Sequence, residues 1–137
     1  MNNRLFVDTL FVVALVNRRD QYHAQASILA NKYVGWPLLI TDAVLLEIGN
    51  ALARNHKREA AMIIEHFLTA DEVEVVHLNP ALFRRAFTFY QRHQDKSWGF
   101  IDCISFVVMH EAGVTQALTF DRHFAQAGFE CLLREIT

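Results

Sequence analysis

Four acidic residues stand where carboxylates can do chemistry. Asp8 directly follows the apolar run Leu5-Phe6-Val7, and Asp121 follows Ala117-Leu118-Thr119-Phe120. Glu47 is set among Val44, Leu45, Leu46, Ile48 and Gly49, and Asp102 among Phe100, Ile101, Cys103 and Ile104. Taken singly, Asp8 and Asp121 would cap a following helix, and Glu47 would be a solvated helix charge. A carboxylate inside an apolar helix is costly without a partner or a cation, so Glu47 and Asp102 together point to a buried acidic cleft. Carboxylates gathered in one cleft raise each other's pKa unless a cation neutralises them. Oxygen-only ligands select hard ions, Mg²⁺ or Mn²⁺ ahead of zinc. Such an ion can bridge the acids to a phosphodiester, lower the pKa of a bound water and stabilise the leaving oxygen. The seven histidines offer no H-E-x-x-H or other metal spacing. His123, two residues beyond Asp121, falls at the edge of such a site.

Short apolar runs and longer amphipathic stretches must position these acids. Leu5-Phe6-Val7 reads as a buried strand ending at Asp8. Thr9 to Val16 reads as a very apolar helix, and Asp20 to Tyr33 as an amphipathic one with Tyr22, Ala26, Leu29 and Tyr33 on one face. Leu38-Leu39-Ile40 is a second strand; Thr41-Asp42 then caps a helix with Leu45, Ile48 and Leu52 facing inward. A helix over Arg58 to Leu68, with Ala61, Ile64 and Phe67 inward, precedes a third strand, Val73 to Leu78. Asn79-Pro80 starts a helix whose apolar face is Leu82, Phe83, Ala86, Phe89 and Tyr90. Ser97 or Trp98 opens the helix bearing Asp102, which Gly113 ends. Ala117 to Phe120 is the fourth strand, Asp121 opens a short helical turn, and Cys131-Leu132-Leu133 is an edge strand. Short strands alternating with helices predict an α/β fold: a central, mostly parallel sheet of about five short strands flanked by helices. In such sheets ligands bind beyond the carboxyl ends of the strands, where strand order reverses. Asp8 and Asp121 follow strand ends.

At 137 residues the chain reads as one domain over 1–137, with no repeat or linker. Hydrophobic residues make up 53% and charged residues 20%, which excludes a disordered chain. The net charge of −2 excludes a global basic field for nucleic acid, so any such function is local. Setting the four acids aside tips the balance slightly basic, and Arg54, His56, Lys57 and Arg58 form the densest basic cluster. These could hold the phosphates of a nucleic acid, or form a solvated helix junction; Arg18-Arg19, Arg84-Arg85 and Arg122 are weaker candidates. Cys103 and Cys131 match neither a zinc knuckle nor a redox pair, and read as buried free thiols. Asp8 interrupts the first apolar run, so no signal peptide is expected. The longest apolar run, Leu10 to Val16, is too short to span a bilayer. A cytoplasmic protein with no membrane association is the expectation.

V-D-T at Val7-Asp8-Thr9, D-A-V-L-L-E-I-G-N-A-L from Asp42 to Leu52, F-I-D-C from Phe100 to Cys103, and T-F-D from Thr119 to Asp121 occur in this order. In order and spacing the chain resembles the PIN-domain family, and most closely the VapC-type ribonuclease toxins of toxin–antitoxin pairs. The resemblance covers essentially the whole chain. It implies a Mg²⁺-dependent endoribonuclease, with Mn²⁺ an alternative ion, whose catalytic acids fall on Asp8, Glu47, Asp102 and Asp121. Asp8 and Asp102 would bind metal directly; Glu47 and Asp121 would complete the shell directly or through water. Thr9 and Thr119 would orient the cluster, and Asn50, one turn after Glu47, could orient Glu47. Arg54, Lys57, Arg58 and His123 are the candidate RNA contacts. Ile101 departs from the family pattern, in which many members carry Thr or Ser before the third acid. The resemblance further implies a homodimer, a cognate antitoxin that wraps the toxin and inserts a basic side chain into the acidic site, and an RNA substrate of unspecified class.

Other chemistries on a similar sheet fail on particular residues. A haloacid-dehalogenase phosphatase needs D-x-D, but Asp8 is followed by Thr9-Leu10. A receiver domain needs an Asp after its third strand, where His77-Leu78 stands. The five glycines are too scattered for a dinucleotide loop or a Walker motif. A non-catalytic PIN-like binding module and an RNA-processing PIN nuclease without a toxin role remain as alternatives.

Overall fold

A computed structural model describes residues 3–136. Its elements in chain order are β1 (Leu5–Val7), α1 (Thr9–Val16), α2 (His23–Lys32), β2 (Leu38–Thr41), α3 (Asp42–Ala51), α4 (Lys57–Thr69), β3 (Val73–Val76), α5 (Pro80–Arg92), α6 (Phe100–Ala112), β4 (Gln116–Leu118), α7 (Arg122–Gln126) and β5 (Glu130–Cys131). The five strands form one sheet in the order β3-β2-β1-β4-β5, and all four neighbouring pairs are parallel. The chain builds outward from β1 through β2 to β3, then returns to add β4 on the other side of β1. Strand order therefore reverses between β1 and β4, which puts the ligand crevice at their carboxyl ends. Right-handed crossovers place α1 to α4 on one face of the sheet and α5 to α7 on the other.

Burial on both faces accounts for the continuous apolar strands. Leu5, Phe6 and Val7 are wholly inaccessible to solvent, as expected of a central parallel strand. On the α5–α7 face, the Phe106 ring of α6 meets Phe124 edge-on at 5.0 Å, Trp98 at 5.1 Å and Phe129 at 5.8 Å. Phe124 in turn meets Phe6 of β1 at 6.1 Å. Gly113 ends α6 in the left-handed conformation (φ 69°), and Val114 N–H closes back onto the Met109 carbonyl at 3.0 Å, so a glycine is needed there. Among the described residues no helix is long and apolar enough to cross a membrane.

The elements depart from the sequence reading where side chains compete with the backbone. Helix α2 begins at His23 rather than Asp20, because the Asp20 carboxylate accepts the Tyr22 N–H at 2.8 Å and holds a turn. Helix α6 begins at Phe100 rather than at Ser97 or Trp98. Asp102 accepts the Gly99 N–H at 3.3 Å, and Trp98 leaves the helical path to pack on Phe89 and Phe106 and to donate to Gln126 at 3.0 Å. Strand β4 stops at Leu118, not Phe120, because the Thr119 N–H turns back to the Ala117 carbonyl at 3.0 Å. Strand β5 is shifted to Glu130–Cys131, although Leu132 and Leu133 still donate to Ala117 and Thr119. On α4 it is Ala60 and Phe67 that are buried, while Ala61 is exposed. On α5, Phe83 and Tyr90 are exposed rather than inward; Leu82 and Ala86 carry the packing.

Candidate active site

Four elements bring the acids together. Asp8 leaves the end of β1 and is 6% exposed; Asp121 follows β4 by way of Thr119; Glu47 is midway along α3; Asp102 is in the first turn of α6. Asp8 is held by the Thr119 hydroxyl, which donates to its Oδ2 at 2.8 Å. The same Thr119 oxygen accepts the Asp121 N–H at 3.1 Å. One completely buried threonine thus fixes the carboxylate of the first acid and the backbone of the fourth. Thr9, the first residue of α1, donates from Oγ1 to Glu47 Oε1 at 2.7 Å and ties α1 to α3. Asn50 is exposed on α3 and makes no hydrogen bond to Glu47; the threonine across the cleft holds that carboxylate instead.

Asp102 and Asp121 face a common imidazole. His123 Nδ1 lies 3.3 Å from Asp102 Oδ2 and 3.6 Å from Asp121 Oδ1. Its Nε2 lies 3.3 Å from the Ser97 hydroxyl. His123, expected as an RNA contact at the site's edge, therefore turns its ring into the acids. Ser97 joins the site without any sequence motif to mark it, because its role depends on a residue 26 positions away. The Asp121 carboxylate also caps α7 by accepting the His123 N–H at 2.9 Å, so its capping and cluster positions coexist.

The cluster is electrostatically strained. Burial pushes the Asp8 carboxyl up to about 7; the Asp102 and Glu47 charges push the same way, and the Thr119 hydrogen bond opposes them. Asp102 is raised by burial and by Asp121, against the pull of His123 and the Gly99 N–H. Glu47 is raised by burial and by Asp102, against the Thr9 hydrogen bond. Like charges desolvated together are the condition that a divalent cation relieves. The carboxylate oxygens of Asp8, Glu47, Asp102 and Asp121 suit a hard ion, but among the described residues the ligand atoms already gathered, within 4.8 Å of one another, are those of Asp102, Asp121 and the His123 imidazole, with Asp8 and Glu47 outside that group.

The candidate RNA contacts are less concentrated. Arg54 is exposed just beyond the end of α3, and Lys57 and Arg58 are exposed on the first turn of α4. A groove of about 720 Å³ is lined by Arg54 together with Arg18 and Arg19, and not by Lys57 or Arg58.

This sheet order, with acids at the carboxyl ends of β1 and β4 and on the helices facing them, defines a class. The chain belongs to the PIN-domain family, whose family model matches residues 5–130. Within it, the chain is a homologue of the VapC-type endonuclease toxins. It is 35% identical over 127 residues to the 23S rRNA-specific endonuclease VapC20 of Mycobacterium tuberculosis, in strains CDC 1551 and H37Rv alike, covering 91% of this chain and 95% of the relative. The crystal structure of M. tuberculosis VapC20, described as a sarcin–ricin loop cleaving toxin, superposes with a TM-score of 0.83 at 31% identity, covering 96% of this chain and 99% of that one.

Proposed function

We propose that residues 1–137 act as one nuclease domain, a divalent-metal-dependent endoribonuclease toxin that hydrolyses RNA phosphodiesters in the cytoplasm. The observation that carries this reading is Asp8: a carboxylate at the end of the central strand, almost fully buried, opposed by Asp102 and Glu47 and pushed up to about 7. Asp8 and Asp102 would hold Mg²⁺ or Mn²⁺ directly, with Glu47 and Asp121 completing the shell directly or through water. When bound, the ion supplies charge neutralisation, a more acidic water and a stabilised leaving oxygen. Thr119 fixes the Asp8 carboxylate and the Asp121 backbone, and Thr9 fixes Glu47, so these acids are oriented before any ligand arrives. Held carboxylates favour in-line geometry at a phosphate because little reorganisation is left to the reaction.

The relatives named above are specific for 23S rRNA, so large-subunit rRNA is the substrate class to test. A homodimer and a cognate antitoxin, with a cationic side chain entering the acidic cleft, complete the proposal; a cation there would relieve the same repulsion that a metal ion does. The test is cleavage of end-labelled 23S rRNA and tRNA by antitoxin-free protein, with Mg²⁺ or with EDTA, beside Asp102→Asn. Discrete cuts requiring both Mg²⁺ and Asp102 are expected. Cleavage by Asp102→Asn at the wild-type rate, or no cleavage together with no metal binding, overturns the reading and leaves a binding module.

A further inference from the structure

A groove of about 720 Å³ lies beside the acidic cleft rather than in it. Its floor is Val13, Val16 and Leu52, and its rim carries Arg18, Arg19 and Arg54. The two arginines that follow α1 are set by a tight turn: the Asn17 side chain accepts the Arg19 N–H at 3.1 Å, and the Asp20 N–H bonds the Asn17 carbonyl at 3.0 Å. Arg54 approaches from the turn between α3 and α4.

The charge of this rim is not neutralised. Arg4 pairs with Glu74, Arg85 with Glu111 and Arg122 with Glu135. Among the described residues Arg18, Arg19 and Arg54 have no carboxylate partner. Glu59, the acid that lines the groove, faces His56 at 3.4 Å. Exposed guanidinium groups held apart around a groove, with no acid to satisfy them, suit a polyanion with regularly spaced charges.

Position relative to the acids selects which polyanion. Thr9 and Glu47 meet at the start of α1, and the groove opens at Val13, one helical turn further along. From Thr9 to Val16 the helix rises about 11 Å, which leaves the groove within reach of the nucleotides next to one held at the acids. We propose that this groove, between the α1–α2 turn and the α3–α4 turn, binds the phosphates of the RNA strand flanking the scissile bond through Arg18, Arg19 and Arg54. The inference rests on the nuclease reading above and moves the RNA-binding role away from Lys57 and Arg58, which do not line the groove.

Binding is measured in EDTA, where no cleavage occurs, by fluorescence anisotropy of a labelled single-stranded RNA of about 12 nucleotides. The variants are Arg18→Gln/Arg19→Gln/Arg54→Gln and, as a control on α2 and α5 away from the groove, Lys32→Gln/Arg92→Gln. For a single strand, every phosphate that a cation no longer neutralises lowers the slope of log affinity against log salt by about 0.7, so the groove variant's slope should fall by about 2. Between about 50 and 200 mM salt, wild type should then lose about 20-fold more affinity than the groove variant. The control should keep the wild-type slope. An unchanged slope in the groove variant overturns the proposal. If that variant instead loses binding to a poly-glutamate peptide, the groove belongs to a protein partner. Cleavage is scored separately with Mg²⁺. A wild type that cuts no RNA but shows the arginine-dependent slope supports the groove and defeats the nuclease; a cutting wild type whose slope ignores the arginines defeats the groove alone.

Discussion

Asp8→Asn should stabilise the metal-free protein while abolishing its chemistry. Ionised Asp8 is opposed by burial and by two neighbouring carboxylates, so its pKa rises from 3.8 to about 7 on folding. Each tenfold displacement of a proton equilibrium is worth about 1.4 kcal/mol. Above pH 7 the charged carboxylate therefore costs the fold up to about 4 kcal/mol. The sign follows from proton counting. Between pH 3.8 and about 7 the native state holds a proton that the unfolded state has released, so stability falls as pH rises through that window. Asparagine is uncharged at every pH, and its carbonyl oxygen can still accept the Thr119 hydroxyl. Its amide protons add a desolvation cost of about 1 kcal/mol, leaving a net gain of about 3 kcal/mol at pH 8. At about 3 °C per kcal/mol for a domain of this size, Asp8→Asn should melt about 9 °C above wild type in EDTA at that pH. The gap should shrink toward pH 5, where wild type keeps the proton. Saturating Mg²⁺ should raise the wild-type melting temperature and leave the variant unmoved, and RNA cleavage should fall at least about 100-fold. An Asp8→Asn protein that melts with or below wild type in EDTA at pH 8, with no pH dependence of the difference, refutes the reasoning.

The supporting residues make separate predictions. Thr119→Val removes the donor to Asp8 and the acceptor for the Asp121 N–H; it should cost about 1–3 kcal/mol in melting experiments and weaken Mn²⁺ about 10-fold in calorimetric titration, and unaltered metal affinity would contradict its positioning role. Glu47→Gln keeps an oxygen for the Thr9 hydroxyl, so circular dichroism melts in EDTA should show no loss of stability while Mn²⁺ affinity drops about 10-fold. Burial and the Asp102 charge push the Cys103 thiol up to about 11, so a disulfide reagent at pH 7.5 should leave it unmodified in the folded protein and label it in denaturant; rapid labelling of native Cys103 would show that the Asp102 end of α6 is open. Phe106→Ala empties the packing between α6, Trp98 and Phe124 and should cost about 3–5 kcal/mol by chemical denaturation.

Period and punctuation make the sheet legible in the sequence. Leu5-Phe6-Val7 is too short and too apolar for anything but a doubly covered strand, and Asn79-Pro80 starts its helix where a cap and proline must; Asn79 does accept the Leu82 N–H, at 2.8 Å. Glu47 and Asp102 stand out because each is the one acid in an apolar helical segment. Boundaries set by tertiary contacts are not legible. Thr119 reads as a β-branched strand residue, yet its hydroxyl serves two acids and its backbone breaks the strand. Trp98 reads as the start of a helix, yet the pocket between Phe89 and Phe106 draws it off that path. Phe83 and Tyr90 fit the apolar stripe of α5 by spacing but gather around Phe100 at its exposed edge. The basic cluster is a run along the chain when read as sequence, whereas the groove collects Arg54 with Arg18 and Arg19 and leaves Lys57 and Arg58 outside its lining.

The energetics of the site argue for what it is built to hold. Three of its carboxyls are raised by burial and by one another, and each would be cheaper as an amide or an apolar side chain. The fold adds hydroxyl donors, a backbone N–H and an imidazole, which orient the carboxylates and offset part of the repulsion without neutralising it. Hydrogen bonds that fix an uncompensated anion are useful when a cation arrives, because the ligands need no further ordering. The same arrangement explains why Arg18 and Arg19 stand beyond the far end of α1 and not in the cleft. A guanidinium among the acids would satisfy them permanently, as Glu111 satisfies Arg85 on the surface. Placed beyond the end of α1, Arg18 and Arg19 leave the cleft's charge for a cation and keep their own for the phosphates of an RNA strand.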